Sequence, residues 1–344
     1  MMWPEVEQAQ SAWQQEDDKN IARCRYLGTG GEQCQQDVVA VGDLCFWHNP
    51  QVYKTGRDIR TRLEEWAASG LSMEGFQLAR ANLQDIHLSH GQAEVAVNLA
   101  HADLSRTNLS GAHLYNADLH GASLLKADLS HANLNRAHLE DANLLGARLY
   151  ETRLKYARWG RHIRQEREAY AAERAGDRER ARALYIEAEE IYRNLTRVSE
   201  RGGHSEREGW FFRKEMIMRR RQYPLLSLHR GWMKLVDLVC GYGELPARVI
   251  GFSLSVIFAS ALIYFLYGVN SHGGNIGWVP GAGWWRNTLE YLTCVYFSVV
   301  TFTTLGYGDI APLGVMRAVA GAEAFVGAFT MALFVVVFDK KMTR

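Results

Sequence analysis

Leu99-Ala-His-Ala-Asp, Leu104-Ser-Arg-Thr-Asn, Leu109-Ser-Gly-Ala-His opens a run in which leucine returns at every fifth residue through Leu154. Ala or Thr stands two residues before each leucine except Leu99, where Val97 takes the place. A period of five fits neither regular element. On an α-helix each step turns about 140° and scatters the leucines around the cylinder, and on a flat strand it alternates faces. A chain that turns a right angle every five residues removes the conflict. Leucine and the alanine two before it then point inward on all four sides, while Asp, Asn, His and Arg point out. Leu78, Leu83 and Leu88 continue the pattern upstream, shifted by one residue around 89–98.

This run resembles the pentapeptide-repeat family, and the resemblance implies a right-handed quadrilateral β-helix of nearly four coils. Such a solenoid buries its core only by stacking, so its ends need caps. Some members of the family imitate DNA by displaying acid along one face. Residues 99–154 hold six acids and five bases, and the whole chain 38 acids and 39 bases, so neither DNA mimicry nor nucleic-acid binding is expected. His101, His113, His120, His131 and His138 are read as solvated outward positions ahead of pH sensors. The expected role is a rigid cytoplasmic spacer or a docking surface for a regulatory ligand or protein.

Upstream, Cys24, Cys34, Cys45 and His48 follow the spacing C-x9-C-x10-C-x2-H, with glycines in the intervening loops. Three thiolates and an imidazole make a closed tetrahedral set for structural zinc, with free thiols and redox use as the alternatives. The set resembles small treble-clef-like zinc modules. It shows no open ligand position for catalysis. Cys240 and Cys294 fall outside it as apolar fillers. The start, Met1–Glu7, lacks the basic and apolar parts of a signal peptide, so the front half is expected to stay where it was made and to form no disulfide framework.

Downstream, Ala181, Leu184, Tyr185, Ala188, Ile191, Tyr192, Leu195 and Val198 form a helical stripe that Gly202-Gly203 ends. A second helix follows, with Trp210, Phe212 and Met216 available for packing. The pair resembles a tetratricopeptide-type helical hairpin, which needs neighbouring subunits or the β-helix to cover its face. Residues 229–243 suit a helix lying on a membrane surface, and Pro246 turns the chain away from it.

Residues 247–267 and 313–338 are each long and apolar enough to cross a bilayer, which takes about 20 residues. Basic residues before the first (Arg219, Arg220, Arg221, Arg230, Lys234) and after the second (Lys340, Lys341) place both ends in the cytoplasm. The segment between them is too short to span and ends in Thr303-Thr-Leu-Gly-Tyr-Gly-Asp309. Non-helical backbone at membrane depth is tolerated only inside protein or along a water-filled path. Gly306 and Gly308 can adopt backbone forbidden to other residues, letting successive carbonyls face one way.

This heptapeptide between two spans resembles the signature of two-transmembrane, one-pore-loop potassium channels, which assemble as tetramers. The resemblance implies that Thr304, Leu305, Gly306 and Tyr307 supply oxygens to permeant K+, that Gly308 completes the strand and that Asp309 sits at its outer mouth. Leu305 stands where the family more often has valine or isoleucine. Gly327 is read as a gating hinge or as a small packing residue, and Ala324, Ala328, Met331 and Val335 as one cavity-lining face. Glu323, an acid inside a span, faces the back of the filter or the cavity, most simply through a structural hydrogen bond.

The expected molecule is a mixed membrane protein in the plasma membrane, in contact with lipid and assembled as a homotetramer. A zinc module fills 1–60, the β-helix 61–160, a helical hairpin 161–226 and a surface helix 227–246. The first span occupies 247–267, pore helix and filter 284–312, the second span 313–338 and a short tail 339–344. Its rival is a membrane-anchored scaffold with a silent pore. An enzyme is not expected: no serine–histidine–acid or phosphate-loop pattern occurs.

Overall fold

Parallel bridges join Asn98 to Asp118, Asp103 to Ser123, Asn108 to Asp128 and His113 to Asn133, and the series runs on to His138 and Arg158. Every pair is 20 residues apart, so one turn of the coil takes four pentapeptides. Left-handed backbone recurs on the same period, at His101, Arg106, Gly111, Asn116, Gly121 and Lys126 among others, and marks the corners. A non-glycine residue there costs ~1–2 kcal/mol. Offsetting it, the leucines and alanines of every side are buried in one continuous core. Thr107 and Thr152, which replace alanine, donate their hydroxyls to Leu78 O and Leu129 O at 2.8 Å, so no inward hydroxyl is wasted. The first turn is longer: Gln77 pairs with Asp103 and Asn82 with Asn108, 26 residues on.

The structure, a computed structural model, describes residues 22–39, 42–88, 97–201, 205–271 and 274–342; the Gly202-Gly203 stop and the chain start lie outside them. It divides into two compact units, 1–222 and 223–344. In the first, the coil is closed at one end by helix α1 (Ile59–Ala68), which buries Ile59 and Leu63, and by Trp47, stacked on Phe76 at 5.2 Å. No helical stripe was legible at 59–68, because this short helix buries only Ile59 and Leu63.

At the other end stand three helices rather than a hairpin: α2 (Arg164–Arg174), α3 (Arg178–Arg201) and α4 (Ser205–Arg221). The stripe on α3 is buried as its spacing demands. On α4 the buried face is Glu208, Phe211, Glu215 and Met218, while Trp210 packs half-buried at its edge against Tyr192, and Phe212 and Met216 are half-buried. Acids sit inside because they are tied. Glu166 accepts from Tyr192 Oη at 2.5 Å, Tyr170 Oη at 3.1 Å and Lys214 Nζ at 2.7 Å, joining all three helices. Burial, then this carboxylate, pushes Tyr170 up to about 12. The layer covers the coil itself: Asn194 Nδ2 donates to Ala147 O at 2.8 Å, and Trp159 meets Phe211 edge-on.

The second unit begins with α5 (Leu228–Cys240), whose Val236 and Val239 pack near Val249 and Val337 while Trp232, Leu235 and Leu238 are exposed. A left-handed Gly241 ends it. Then come α6 (Pro246–Tyr267), the pair β1 (Val269–Ser271) and β2 (Gly274–Ile276), α7 (Trp284–Phe302), β3 (Ile310–Ala311) and α8 (Met316–Met342). The α6 and α8 helices are the two long and apolar enough to cross a membrane among the described residues. The β1 strand lies between β2 and β3, antiparallel to both, with Ser271 opposite Ile310.

Candidate functional site

The ligand atoms of Cys24, Cys34, Cys45 and His48 lie within 4.8 Å of one another. His48 Nδ1 is 3.2 Å from Cys45 Sγ and 3.6 Å from Cys24 Sγ, while Cys34 Sγ is 4.0 Å from Cys45 Sγ. Ligands of a tetrahedral zinc stand roughly 3.3–3.8 Å apart, and these three separations lie near that range, so the donor set suits a tetrahedral metal ion. The imidazole is preset: Nε2 donates to Glu74 O at 2.9 Å, leaving the Nδ1 lone pair toward the sulfurs. Tyr26 stacks on its ring at 3.9 Å. Burial lowers the His48 pKa and pushes the Cys45 thiol up to about 12. A bound cation favours the thiolates that burial alone opposes. Since Glu74 and Phe76 belong to the start of the coil, the centre ties the N-terminal module to that cap.

In the second unit, Thr304, Leu305, Gly306, Tyr307, Gly308 and Asp309 follow the end of α7 as an exposed strip. Its φ angles change sign at every residue. Thr304 (59°), Gly306 (59°) and Gly308 (80°) are left-handed, and Leu305 and Tyr307 between them are not. Peptide units of alternating hand turn successive carbonyls to the same side. Two anchors hold the strip's outer end: Tyr296 Oη on α7 donates to Asp309 Oδ2 at 2.9 Å, and Ser271 Oγ on β1 to Asp309 O at 3.2 Å. Leu305 and Tyr307 are 61% and 69% exposed, a large uncovered surface for so short a segment.

Behind the strip, Glu323 on α8 is buried and faces neither cavity nor solvent. It accepts from Tyr264 Oη on α6 at 2.6 Å and meets Ser298 Oγ on α7, which also lies 2.8 Å from Ile257 O. One carboxylate thus joins α6, α7 and α8. Neither Tyr264 nor Ser298 was visible as a site residue, since each is a single polar residue in an apolar run. At Gly327 an added Cβ would stand 2.0 Å from Phe302 O, so the end of α7 rests on bare α8 backbone. That gives the glycine a packing role. Ala328, Met331 and Val335 are exposed on α8, as are Phe325 and Phe329 on another face.

Comparison with known proteins adds two family matches. A model described as "Ion channel" matches residues 251–344, and one for pentapeptide repeats matches 95–130 and 123–158. The chain is 35% identical over 91 residues to potassium voltage-gated channel subfamily A member 5 of Rattus norvegicus, covering 26% of this chain and 13% of that one. It is 36% identical over 89 residues to protein LctB of Bacillus caldotenax, covering 25% of this chain and 65% of that one. It therefore spans less than two thirds of either curated relative. Among solved structures, the pentapeptide repeat protein alr5209 of Nostoc Pcc 7120 is 37% identical, with 27% of this chain and 74% of that one covered and a TM-score of 0.25. Rfr23 of Cyanothece 51142 is also 37% identical, covering 26% and 63%, at a TM-score of 0.14. The chain joins a C-terminal ion-channel domain of the two-transmembrane, one-pore-loop kind to the pentapeptide repeats that precede it.

Proposed function

We propose that four copies of the second unit surround one potassium-selective pore in the plasma membrane. The alternating backbone of Thr304–Gly308 carries this reading. Four such strands facing an axis set carbonyl oxygens in stacked rings that replace the water shell of K+. Thr304 adds its hydroxyl below them and Asp309 lies at the outer mouth. In a single chain this strip is uncovered, as are large apolar residues on α6 and α8; copies and lipid cover them. The 35% identity to a potassium channel over 91 residues supports the ion's identity.

Both ends of the chain lie in the cytoplasm, where the first unit, a right-handed quadrilateral β-helix with a zinc-bound cap, assembles or gates the pore. Zinc here is structural: Cys24, Cys34, Cys45 and His48 fill its four positions, leaving none for a substrate. The protein is a channel and not an enzyme. Potassium flux into liposomes holding the purified protein tests the pore. Flux that favours K+ over Na+ and is lost in Gly306→Ala, with the tetramer intact by native mass spectrometry, is expected. A monomer, or flux indifferent to that substitution, would leave the anchored-scaffold reading in its place.

A further inference from the structure

Within the first unit, α3 turns Asn194, Arg197, Val198 and Arg201 toward the coil, positions i, i+3, i+4 and i+7 of one helical face. Between that face and the coil lies a cavity of about 710 Å³. This is within the ~300–1,000 Å³ of small-molecule sites. The coil contributes Tyr150, Arg153 and Lys155, one turn beyond Ser130 and Asn135. Asn135 Oδ1 accepts from Lys155 N at 2.8 Å and fixes this wall.

Charge on the lining is one-sided. Arg153, Lys155, Arg197 and Arg201 are all exposed, and no carboxylate pairs with any of them among the described residues. A fifth cation, Arg148, is engaged by Asp128 at 3.4 Å. The lining's one acid, Glu151, lies 3.2 Å from His131 Nδ1. Several other arginines of the helical layer are paired instead. Arg164 pairs with Glu168, Arg167 with Asp141, Arg193 and Arg219 with Glu189, and Arg221 with Glu173. Four cations with no carboxylate partner among the described residues repel each other at one cavity unless something else supplies negative charge.

We propose that this cavity binds a nucleoside polyphosphate. Guanidinium groups present paired donors that match phosphate oxygens, and the lysine adds a point charge. A chain of phosphates answers four cations better than a single one does. The Tyr150 ring, 53% exposed and with the Arg201 guanidinium 6.0 Å from its centroid, offers a flat face for the base. The walls, one helix and one side of a coil, enclose room for a small molecule rather than a polymer.

Calorimetry on the full-length protein in detergent, with ATP, tripolyphosphate and a short single-stranded oligonucleotide as probes, tests this. ATP is expected to bind saturably, one per chain. Arg153→Ala and Arg197→Ala should each weaken it at least tenfold without lowering the melting temperature of the ligand-free protein. Tyr150→Ala should weaken ATP at least threefold and leave tripolyphosphate unchanged. No saturable ATP binding, or binding that survives Arg153→Ala with Arg197→Ala, overturns the site. Tripolyphosphate binding as tightly as ATP, or oligonucleotide alone binding, overturns the nucleotide assignment. The inference needs nothing from the channel reading, and its readout is binding, so failed potassium flux leaves it standing.

Discussion

The two units solve burial in opposite ways. The coil closes its own core: a side chain every two or three residues points inward, and each end is shut by an aromatic and helical cap. The channel unit does not close. Its buried clusters are small, and Phe325, Phe329, Val335 and Val336 on α8 stand exposed together with Leu305 and Tyr307 of the strip. A repeat whose neighbour is the next stretch of the same chain needs no partner, whereas a helix pair that meets lipid and other copies, as proposed above, would expose what they cover. Changes in the first unit should therefore act locally on its own stability, and changes in the second on assembly and conduction.

The widest effect separating the two is expected from metal removal. Apparent zinc-binding energies of Cys/His sites are ~10–16 kcal/mol, all of it folding energy where no preformed site survives. A strong chelator, or Cys45→Ser, should abolish amide-exchange protection at Cys24, Cys34 and Asn49, and at Gln77, whose N–H donates to Trp47 O at 2.8 Å. Amides of the later coils, such as Leu124 and Leu129, should stay protected. Exchange throughout 97–158 on chelation would show that the coil does not close by itself.

Next comes Glu166→Ala. The carboxylate is fully buried, and its removal takes the counter-charge from Lys214, only 15% exposed, and the acceptor from the Tyr192 hydroxyl. Breaking a buried pair from one side costs ~3–5 kcal/mol. Thermal unfolding of the first unit should fall accordingly, while the oligomer of the second unit, followed by native mass spectrometry, should not change.

Gly327→Ala probes the other unit. Its methyl meets a backbone oxygen, Phe302 O, which cannot swing aside as a side-chain tip would. Overpacking of this kind costs ~1–3 kcal/mol. Because Phe302 ends the helix that leads into Thr304, reduced potassium flux is expected with the first unit's melting temperature unchanged. Unaltered flux would mean that α7 and α8 do not meet this closely in the assembled channel.

What the sequence disclosed follows the same division. The five-residue leucine period specified the coil because one local geometry repeats, and even its upstream phase shift returns as the 26-residue first turn. The left-handed positions at Gly306 and Gly308 were readable since glycine is chosen for that backbone; Thr304, left-handed without being glycine, was not. The α2 helix was missed because most of Arg164–Arg174 is charged or polar and its buried face, Gln165, Glu166, Ala169 and Ala172, holds no large aliphatic residue to mark a stripe. Contacts between distant residues stayed hidden as well. Tyr264, Ser298 and Glu323 meet across 59 positions of sequence, and Arg153 faces Arg197 and Arg201 over one cavity only because α3 folds back on the coil.

The smallest effect concerns the membrane-side end of the channel unit, where Lys340 Nζ on α8 lies 2.5 Å from Glu244 Oε1, just before α6, and Arg248 lies 2.8 Å from Asp237 Oδ1 on α5. The first pair ties the end of α8 to the segment entering α6, and the second ties the start of α6 to α5. Lys340 is 36% exposed, so water screens its pair and the stability at stake is at most ~1 kcal/mol. A pair that weak can still bias an equilibrium between two arrangements of α8, since ~1 kcal/mol is about a fivefold shift in population. Lys340→Gln should leave melting and oligomer unchanged yet alter the steady potassium flux severalfold, and Glu244→Gln should do the same. If the double substitution doubles the change in free energy instead of repeating it, the two side chains act separately, and their pair does not hold the end of α8 beside the apolar contacts of Val337 and Val249.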